Sequence, residues 1–350
     1  MLFDRVVTEG FEQIVYFSDS RLGLKGIVAM HSTVLGPAVG GVRMWNYSNE
    51  EEALTDVLRL SKGMTYKASL AGLNWGGGKA VIMGDPKVTK SKAFLERYGD
   101  FVERLGGYYV TAKDVGINCD DLRIVKTKTK HVLGIDGEQG SSGDPSPATA
   151  WGVYHGMRAC AQEVFGNPSL KGKTVVVQGL GSVAHTLVGH LVAEGVTVVG
   201  SDVDQVRIEK AVKDFNIEIV RPEAVYDVPC DLFSPNALGA GINFETIPRL
   251  KTRIVAGAAN NQLATPEDGI ELMKRGILYA PDYVINAGGL INIYFETLPG
   301  GYKKQAAFDY TAKIEKTLGG IFARARIDRT STHVVADQMA EERIAKGLKT

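Results

Sequence analysis

The chain is poor in cysteine, has no net charge and contains no long apolar run. Its 350 residues hold three cysteines, Cys119, Cys160 and Cys230, far apart and without a Cys-x-x-Cys pair. An odd, scattered set argues against a disulfide framework or a thiolate metal site and reads as inert thiols in a reducing compartment. The six histidines are also dispersed, with no His-Glu-x-x-His spacing, so no metal is expected. Forty basic residues cancel forty acidic ones, which disfavours nucleic acid or an anionic membrane as partner. No apolar stretch is long enough to span a bilayer. The opening residues, MLFDRVVTEGFEQ, lack the basic start and apolar core of a signal peptide. Repeats and low-complexity tracts are absent, and a cytoplasmic location is expected.

What is present is an ordinary globular balance, 44% apolar and 23% charged, in a chain longer than most single cores, so two domains are expected. The first part alternates short elements: strands at IVYF, LKGIVAMH, KAVIM and YYVT, and helices at NEEEALTDVLRLSKGM and SKAFLERYGDFVERL. Asn49, three residues before Glu52, resembles a capping box. GIDGEQGSSGDPSPATA is rich in Gly, Ser and Pro and reads as a junction and hinge, with Ser146-Pro147 starting a helix. From Lys173 strands and helices alternate strongly: KTVVVQ, VTVVGSD, CDLFSP, RIVAGA and GILYAPD as strands, GLGSVAHTLVGHLVAEG and QVRIEKAVKDF as turn-and-helix and helix. The tail HVVADQMAEERIAKGLK reads as an amphipathic helix returning to the first domain.

Between the strand TVVVQ and a helix lies Gly179-Leu180-Gly181-Ser182-Val183-Ala184, a Gly-x-Gly-x-x-Ala turn. Its glycines allow close approach of a pyrophosphate to a helix N-terminus. Asp202 ends the next strand, 23 residues after Gly179. A carboxylate there accepts from ribose hydroxyls and repels a 2′-phosphate, favouring NAD over NADP, with Arg207 nearby as an opposing charge.

LNWGGGKAV, residues 73–81, presents Lys79 after three glycines. It is not a phosphate loop, which needs Gly where Leu73 stands and Ser or Thr where Ala80 stands. Lys67 and Lys79 sit among small or apolar residues, whereas Lys126, Lys128 and Lys130 in VKTKTKH read as an exposed face. Asp114, ahead of Gly116, is either a functional loop residue or a simple turn.

Together GGVRM, GMTYK, AGLNWGGGKAVI, VTAKDVG, SSGDPSP, AGAANNQL and YAPDYVINAGGLIN resemble the signature segments of the glutamate/leucine/phenylalanine/valine dehydrogenases, in order and over essentially the whole chain. The resemblance implies NAD-linked oxidative deamination of an L-amino acid to a 2-oxo acid and ammonium. It implies an α/β chain with two domains and a cleft between them. One is an N-terminal substrate/catalytic and oligomerisation domain, residues 1–135 with the C-terminal helix 329–350. The other, 136–328, is a Rossmann-type, doubly wound NAD-binding domain. A homo-oligomer, often an octamer, is implied as well. Carried over, Lys67 binds the substrate carboxylate, Lys79 is the catalytic acid/base and Asp114 exchanges protons with the α-amino group. Gly40, Gly41 and Met64 line the substrate, and Asn261 and Thr149 join the fingerprint residues in holding the dinucleotide, Asn261 also near the substrate amine. A lysine, with a free pKa of about 10.4, becomes a useful base only where its surroundings favour the neutral amine. The triple glycine is then expected to bring the backbone close to substrate and cofactor around Lys79.

The family's specificity positions fall on Val39, Leu290 and Ile293, all apolar, so a substrate carboxylate would go unpaired and glutamate is disfavoured. Leucine or another branched-chain amino acid is expected, with an aromatic amino acid as the alternative. Asp144 and Asn118 depart from the family pattern. Rival readings are a non-catalytic NAD-binding regulatory protein, opposed by the intact Lys67, Lys79 and Asp114, and a 2-hydroxy acid dehydrogenase, opposed by the lack of a suitably placed histidine.

Overall fold

The computed structural model describes residues 2–138 and 140–347, so residues 348–350 of the expected C-terminal helix lie outside the described residues. The chain forms two compact units. The first comprises the chain up to Gly143, Glu296–Tyr302 and the residues from Ala340 on; the second comprises Asp144–Phe295 and Lys303–Met339. The division falls later than the expected 135/136. Glu296 supplies the physical reason: its carboxylate accepts from the Gly134 N–H at 3.2 Å and from the Ser142 N–H and hydroxyl at 2.8 and 2.6 Å, tying the glycine-rich stretch into the first unit. The final helix, Thr332–Gly347, contributes its first part to the second unit and its remainder to the first. In the first unit Arg343 donates to the carbonyls of Ser69 and Leu73 at 2.7 and 2.8 Å.

The first unit is built on strands β1 (Gln13–Asp19), β2 (Leu24–Ser32), β3 (Ala38–Trp45), β4 (Gly76–Met83) and β5 (Tyr109–Lys113), in the order β1-β2-β4-β3-β5. β1, β2 and β4 pair antiparallel, and β4, β3 and β5 pair parallel. Every residue of β4 is buried, because apolar helix faces cover both sides of the sheet. Ala53, Leu54, Val57 and Leu58 of helix Glu50–Leu70 pack on Ile27, Ala29 and Val81. Phe94, Tyr98, Leu122 and Val125, from helices Lys92–Arg104 and Cys119–Lys126, pack on Val28, Val42 and Ala80. A strand covered on both faces reads as a continuous apolar run. Asn49 caps the long helix by accepting from the Glu52 N–H at 2.9 Å, but Glu52 turns back to the Ser48 N–H at 2.8 Å, so the capping box is only half formed. Asn118 makes a complete one with Asp121, starting a helix that the sequence reading did not anticipate.

The second unit carries β6 (Thr174–Gln178), β7 (Thr197–Ser201), β8 (Glu218–Ile219), β9 (Leu232–Pro235), β10 (Ile254–Val255) and β11 (Leu278–Tyr279), ordered β11-β10-β9-β6-β7-β8 and all parallel. This is the doubly wound order, and it reverses between β6 and β9, where such sheets bind ligands beyond the strand ends. The α/β, two-part reading with a doubly wound sheet is what the structure contains. Helix Ser146–Phe165 packs through Gly152 and Gly156, where a Cβ would strike Ile314 and Ile285 at 2.8 and 2.3 Å. Among the described residues no helix is long and apolar enough to cross a membrane.

Candidate active site

In the first unit the sheet register brings the singled-out segments together. The three glycines of LNWGGGKAV are not a loop: Gly76 opens β4, and the protein itself fills the space beside them. A Cβ on Gly77 would lie 2.0 Å from the Thr65 backbone nitrogen, and one on Gly78 2.8 Å from the Tyr109 ring. Helix Glu50–Leu70 and Tyr109 therefore press directly on β4, and the glycines are what lets them approach so closely. Gly40 on β3 is equally tight: a Cβ would meet the Gly78 carbonyl at 1.8 Å and Met64 Cγ at 3.4 Å, and the Tyr109 hydroxyl donates to the Gly40 carbonyl at 2.7 Å. Val39 is 2% exposed. Met64 and Lys67, three residues apart on the helix, share a face and are both partly buried.

Lys79 lies inside this packing, 7% exposed. Its Nζ is 2.7 Å from Asp114 Oδ2. Asp114 follows β5 in a turn closed by the Ile117 N–H donating to the Asp114 carbonyl at 3.0 Å. Gly116 there has φ +79°, and a Cβ would sit 2.2 Å from the Met44 carbonyl, so only glycine fits. Gly41 backs the carboxylate, since a Cβ would come within 3.0 Å of Asp114 Cβ. Arg43 Nε donates to the same Asp114 oxygen at 3.2 Å, and Arg43 Nη1 to Asp56 Oδ2 at 2.9 Å. Asp56 also accepts from the Tyr47 hydroxyl at 2.7 Å and from Arg59 at 3.1 Å. Burial pushes the Asp114 carboxyl up, but Lys79 and Arg43 outweigh it and hold the group below the usual carboxylate range. Arg43, inside GGVRM, carries no role from the sequence; its one signal there is a lone arginine within an apolar strand. Asp56 and Tyr47 carried none.

In the second unit Gly179 follows β6 with φ +89°, and a Cβ there would stand 3.0 Å from the Asn236–Ala237 backbone. Gly181 is the N-cap of helix Ser182–Ala193, has no side-chain cap bond and has nothing within 4 Å of a built Cβ. A helix start without a side-chain cap, with open space beside its N-cap glycine, suits a pyrophosphate. Leu180, Ser182 and Val183 complete this turn. Asp202, following β7, accepts from the Leu180 N–H at 2.6 Å and the Asp204 N–H at 2.9 Å. Thr149 donates to the Pro145 carbonyl at 3.0 Å, and Gly289 stands against its hydroxyl. Asn261 adopts φ +52°, and its carbonyl accepts from the N–H of Ala240, itself at φ +58°. Leu290 and Ile293 are partly exposed on helix Gly288–Tyr294, whereas Ile291 and Asn292 between them are buried. Asp144 accepts from the Ser146 N–H at 3.0 Å, at the start of helix Ser146–Phe165.

A doubly wound parallel unit with a glycine turn at its reversal point defines the class, a dinucleotide-linked oxidoreductase. The model of the Glu/Leu/Phe/Val dehydrogenase dimerisation domain matches residues 12–131, and that of Glutamate/Leucine/Phenylalanine/Valine dehydrogenase matches 140–206 and 202–325. The chain belongs to this family and is an amino acid dehydrogenase using NAD or NADP. It is 49% identical over 343 residues to the leucine dehydrogenase of Geobacillus stearothermophilus, covering 98% of this chain and 93% of the relative. It is 46% identical to the valine dehydrogenase of Streptomyces albus, covering 96% and 93%. The crystal structure of L-tryptophan dehydrogenase from Nostoc punctiforme superposes with a TM-score of 0.89 at 41% identity, covering both chains completely.

Proposed function

We propose that the chain catalyses the reversible, NAD-linked oxidative deamination of an apolar L-amino acid, leucine or another branched-chain residue first. The observation carrying this reading is the buried contact of Lys79 Nζ with Asp114 Oδ2 at 2.7 Å. When bound, the nicotinamide supplies the hydride acceptor for the substrate Cα. Lys67 holds the substrate carboxylate as a point charge. Asp114 takes a proton from the substrate α-ammonium. Lys79 takes one from the water that attacks the resulting imine carbon and returns it to the departing ammonia. At 2.7 Å the two groups form an ion pair, so each stands beside the other where a proton is given up or taken. The backbone around Gly40 and Gly41, with Met64 and Val39, shapes the substrate side of the first unit; Leu290 and Ile293 meet the substrate side chain. Gly179–Val183, Thr149, Asn261 and Asp202 hold the dinucleotide, with Asp202 selecting NAD. The assembly is a cytoplasmic homo-oligomer, an octamer.

NADH formation against leucine, valine, isoleucine, phenylalanine, tryptophan and glutamate tests the substrate; glutamate as the preferred substrate overturns the apolar reading. Lys79→Ala is expected to reduce turnover by at least about a thousandfold while NAD binding stays measurable. Turnover near the parent level would remove Lys79 from the mechanism. A second reading, an aromatic amino acid dehydrogenase, draws on the full-length likeness to L-tryptophan dehydrogenase, and the same panel separates it.

A further inference from the structure

We propose that Arg43 is a positioning residue for the acid–base pair, its guanidinium anchored on Asp56 and setting Asp114 Oδ2 beside Lys79 Nζ. This rests on the reading that Lys79 and Asp114 carry the proton chemistry.

Arg43 lies on β3 between the two strands that deliver that pair, since β3 pairs with β4 on one side and with β5 on the other. It reaches two carboxylates from separate elements. Nε donates to Asp114 at 3.2 Å, and Nη1 to Asp56 of helix Glu50–Leu70 at 2.9 Å. A planar guanidinium fixes the angle between those donors, so the anchor at one end aims the other; an ammonium cannot do this. The anchor is itself held, because Tyr47 and Arg59 both donate to Asp56. Lys79 already supplies Asp114 with a counter-charge at 2.7 Å, so a second cation on the same oxygen is more than neutralisation requires.

The charged and titratable groups facing Asp114 are Lys79 from β4, Arg43 from β3 and Tyr109 from β5, with Tyr47 beyond Arg43. Asp56 and Arg59 from the helix lie behind the arginine. Arg43 keeps its charge at every working pH and so biases the carboxylate without titrating. Without it, burial of Asp114 is opposed by Lys79 and the Val115 N–H, and protonation begins at higher pH.

The test compares Arg43→Gln, Arg43→Lys and Asp56→Asn, with Lys79→Ala and Asp114→Asn as references, by kcat, KM and the pH profile of kcat/KM for NADH formation. Arg43→Gln is expected to lower kcat about tenfold, to change KM for the amino acid less than about threefold and to move the acid limb up by about half a pH unit or more. Asp56→Asn moves it the same way by less. Arg43→Lys restores the limb but not the full kcat. An unmoved acid limb in Arg43→Gln and Asp56→Asn overturns the proposal, as does a loss of kcat that only follows a fall in melting temperature. Should Arg43→Gln fail to fold, the limb in Asp56→Asn and the kcat of Arg43→Lys decide by the same criteria. Turnover retained by both reference variants instead removes the acid–base reading itself.

Discussion

At Asp202 one carboxylate braces a turn and, in the proposed function, also selects the cofactor. It accepts from the Leu180 and Asp204 N–H groups, and Arg207 Nη1 stands 3.7 Å away. Burial pushes the group up, but those N–H donors and Arg207 bring it below the usual range. Asp202→Ser removes the charge that would repel a 2′-phosphate and leaves the exposed Arg207 able to face it. The ratio of kcat/KM with NADP to that with NAD should rise by about tenfold, a difference of about 1.4 kcal/mol. The same change takes a charged acceptor from the Leu180 N–H, at a cost of about 1–3 kcal/mol, read as a lower melting temperature. An unchanged cofactor ratio would show that Asp202 serves the turn alone. At this scale the sequence disclosed residues that sit inside recognisable segments: Lys67, Lys79, Asp114, the fingerprint glycines and Asp202. Arg43 and Asp56 stayed hidden, because Arg43 meets a carboxylate 71 positions away and another 13 away. The pairing of β3 with β5 brings Asp114 to Arg43, and the packing of helix Glu50–Leu70 on the sheet brings Asp56.

Among the elements, β4 tolerates little change. Gly77→Ala would place a methyl 2.0 Å from the Thr65 backbone nitrogen, an atom with no rotamer to retreat into. A loss of about 3 kcal/mol or more is expected, measured as the shift in urea midpoint. Gly63→Ala in the neighbouring helix, where nothing lies within 4 Å, should stabilise by up to about 1 kcal/mol. Equal effects at the two positions would refute the packing account of the triple glycine. Strands with sustained apolar runs, such as β2, β6 and β7, could be read from the chain. β3 could not, because its Gly40-Gly41 pair suppresses the strand signal that its two partner strands supply in the fold. Of the two-residue strands, β10 and β11 fall within RIVAGA and GILYAPD, which read as strands, whereas β8 takes its identity from its pairing with β7. Asn118, a departure from the family pattern in the sequence, proves to be a helix cap.

For the molecule as a whole, a buried histidine sets the response to acid. His31 is 7% exposed, with Nδ1 at 2.9 Å from the Thr65 hydroxyl and Nε2 at 3.3 Å from the Glu9 carbonyl. Burial, then Lys62, lowers it to about 4 from 6.5. The unfolded chain therefore binds the proton first, and stability present above pH 6.5 is lost as pH falls towards 4. The loss from this residue is on the order of 3 kcal/mol. His190 and His333, also lowered by burial, add in the same direction. Asp56 and Asp114, held below the carboxylate range, lose their contribution only below about pH 4. Urea midpoints between pH 7.5 and 4.5 should fall, and His31→Gln should flatten the fall. A parent curve that is level over this range would contradict the burial of His31.

Lys79 rides on a strand whose hydrogen-bond partners, β2 and β3, were both made earlier along the chain, and Asp114 follows a strand that joins the sheet only through β3. The two groups meet only after segments spread over roughly the first third of the chain have found one register. A half-assembled sheet holds a lysine and an aspartate but no couple to exchange a proton. Regain of turnover after denaturation thus cannot precede the closing of that sheet.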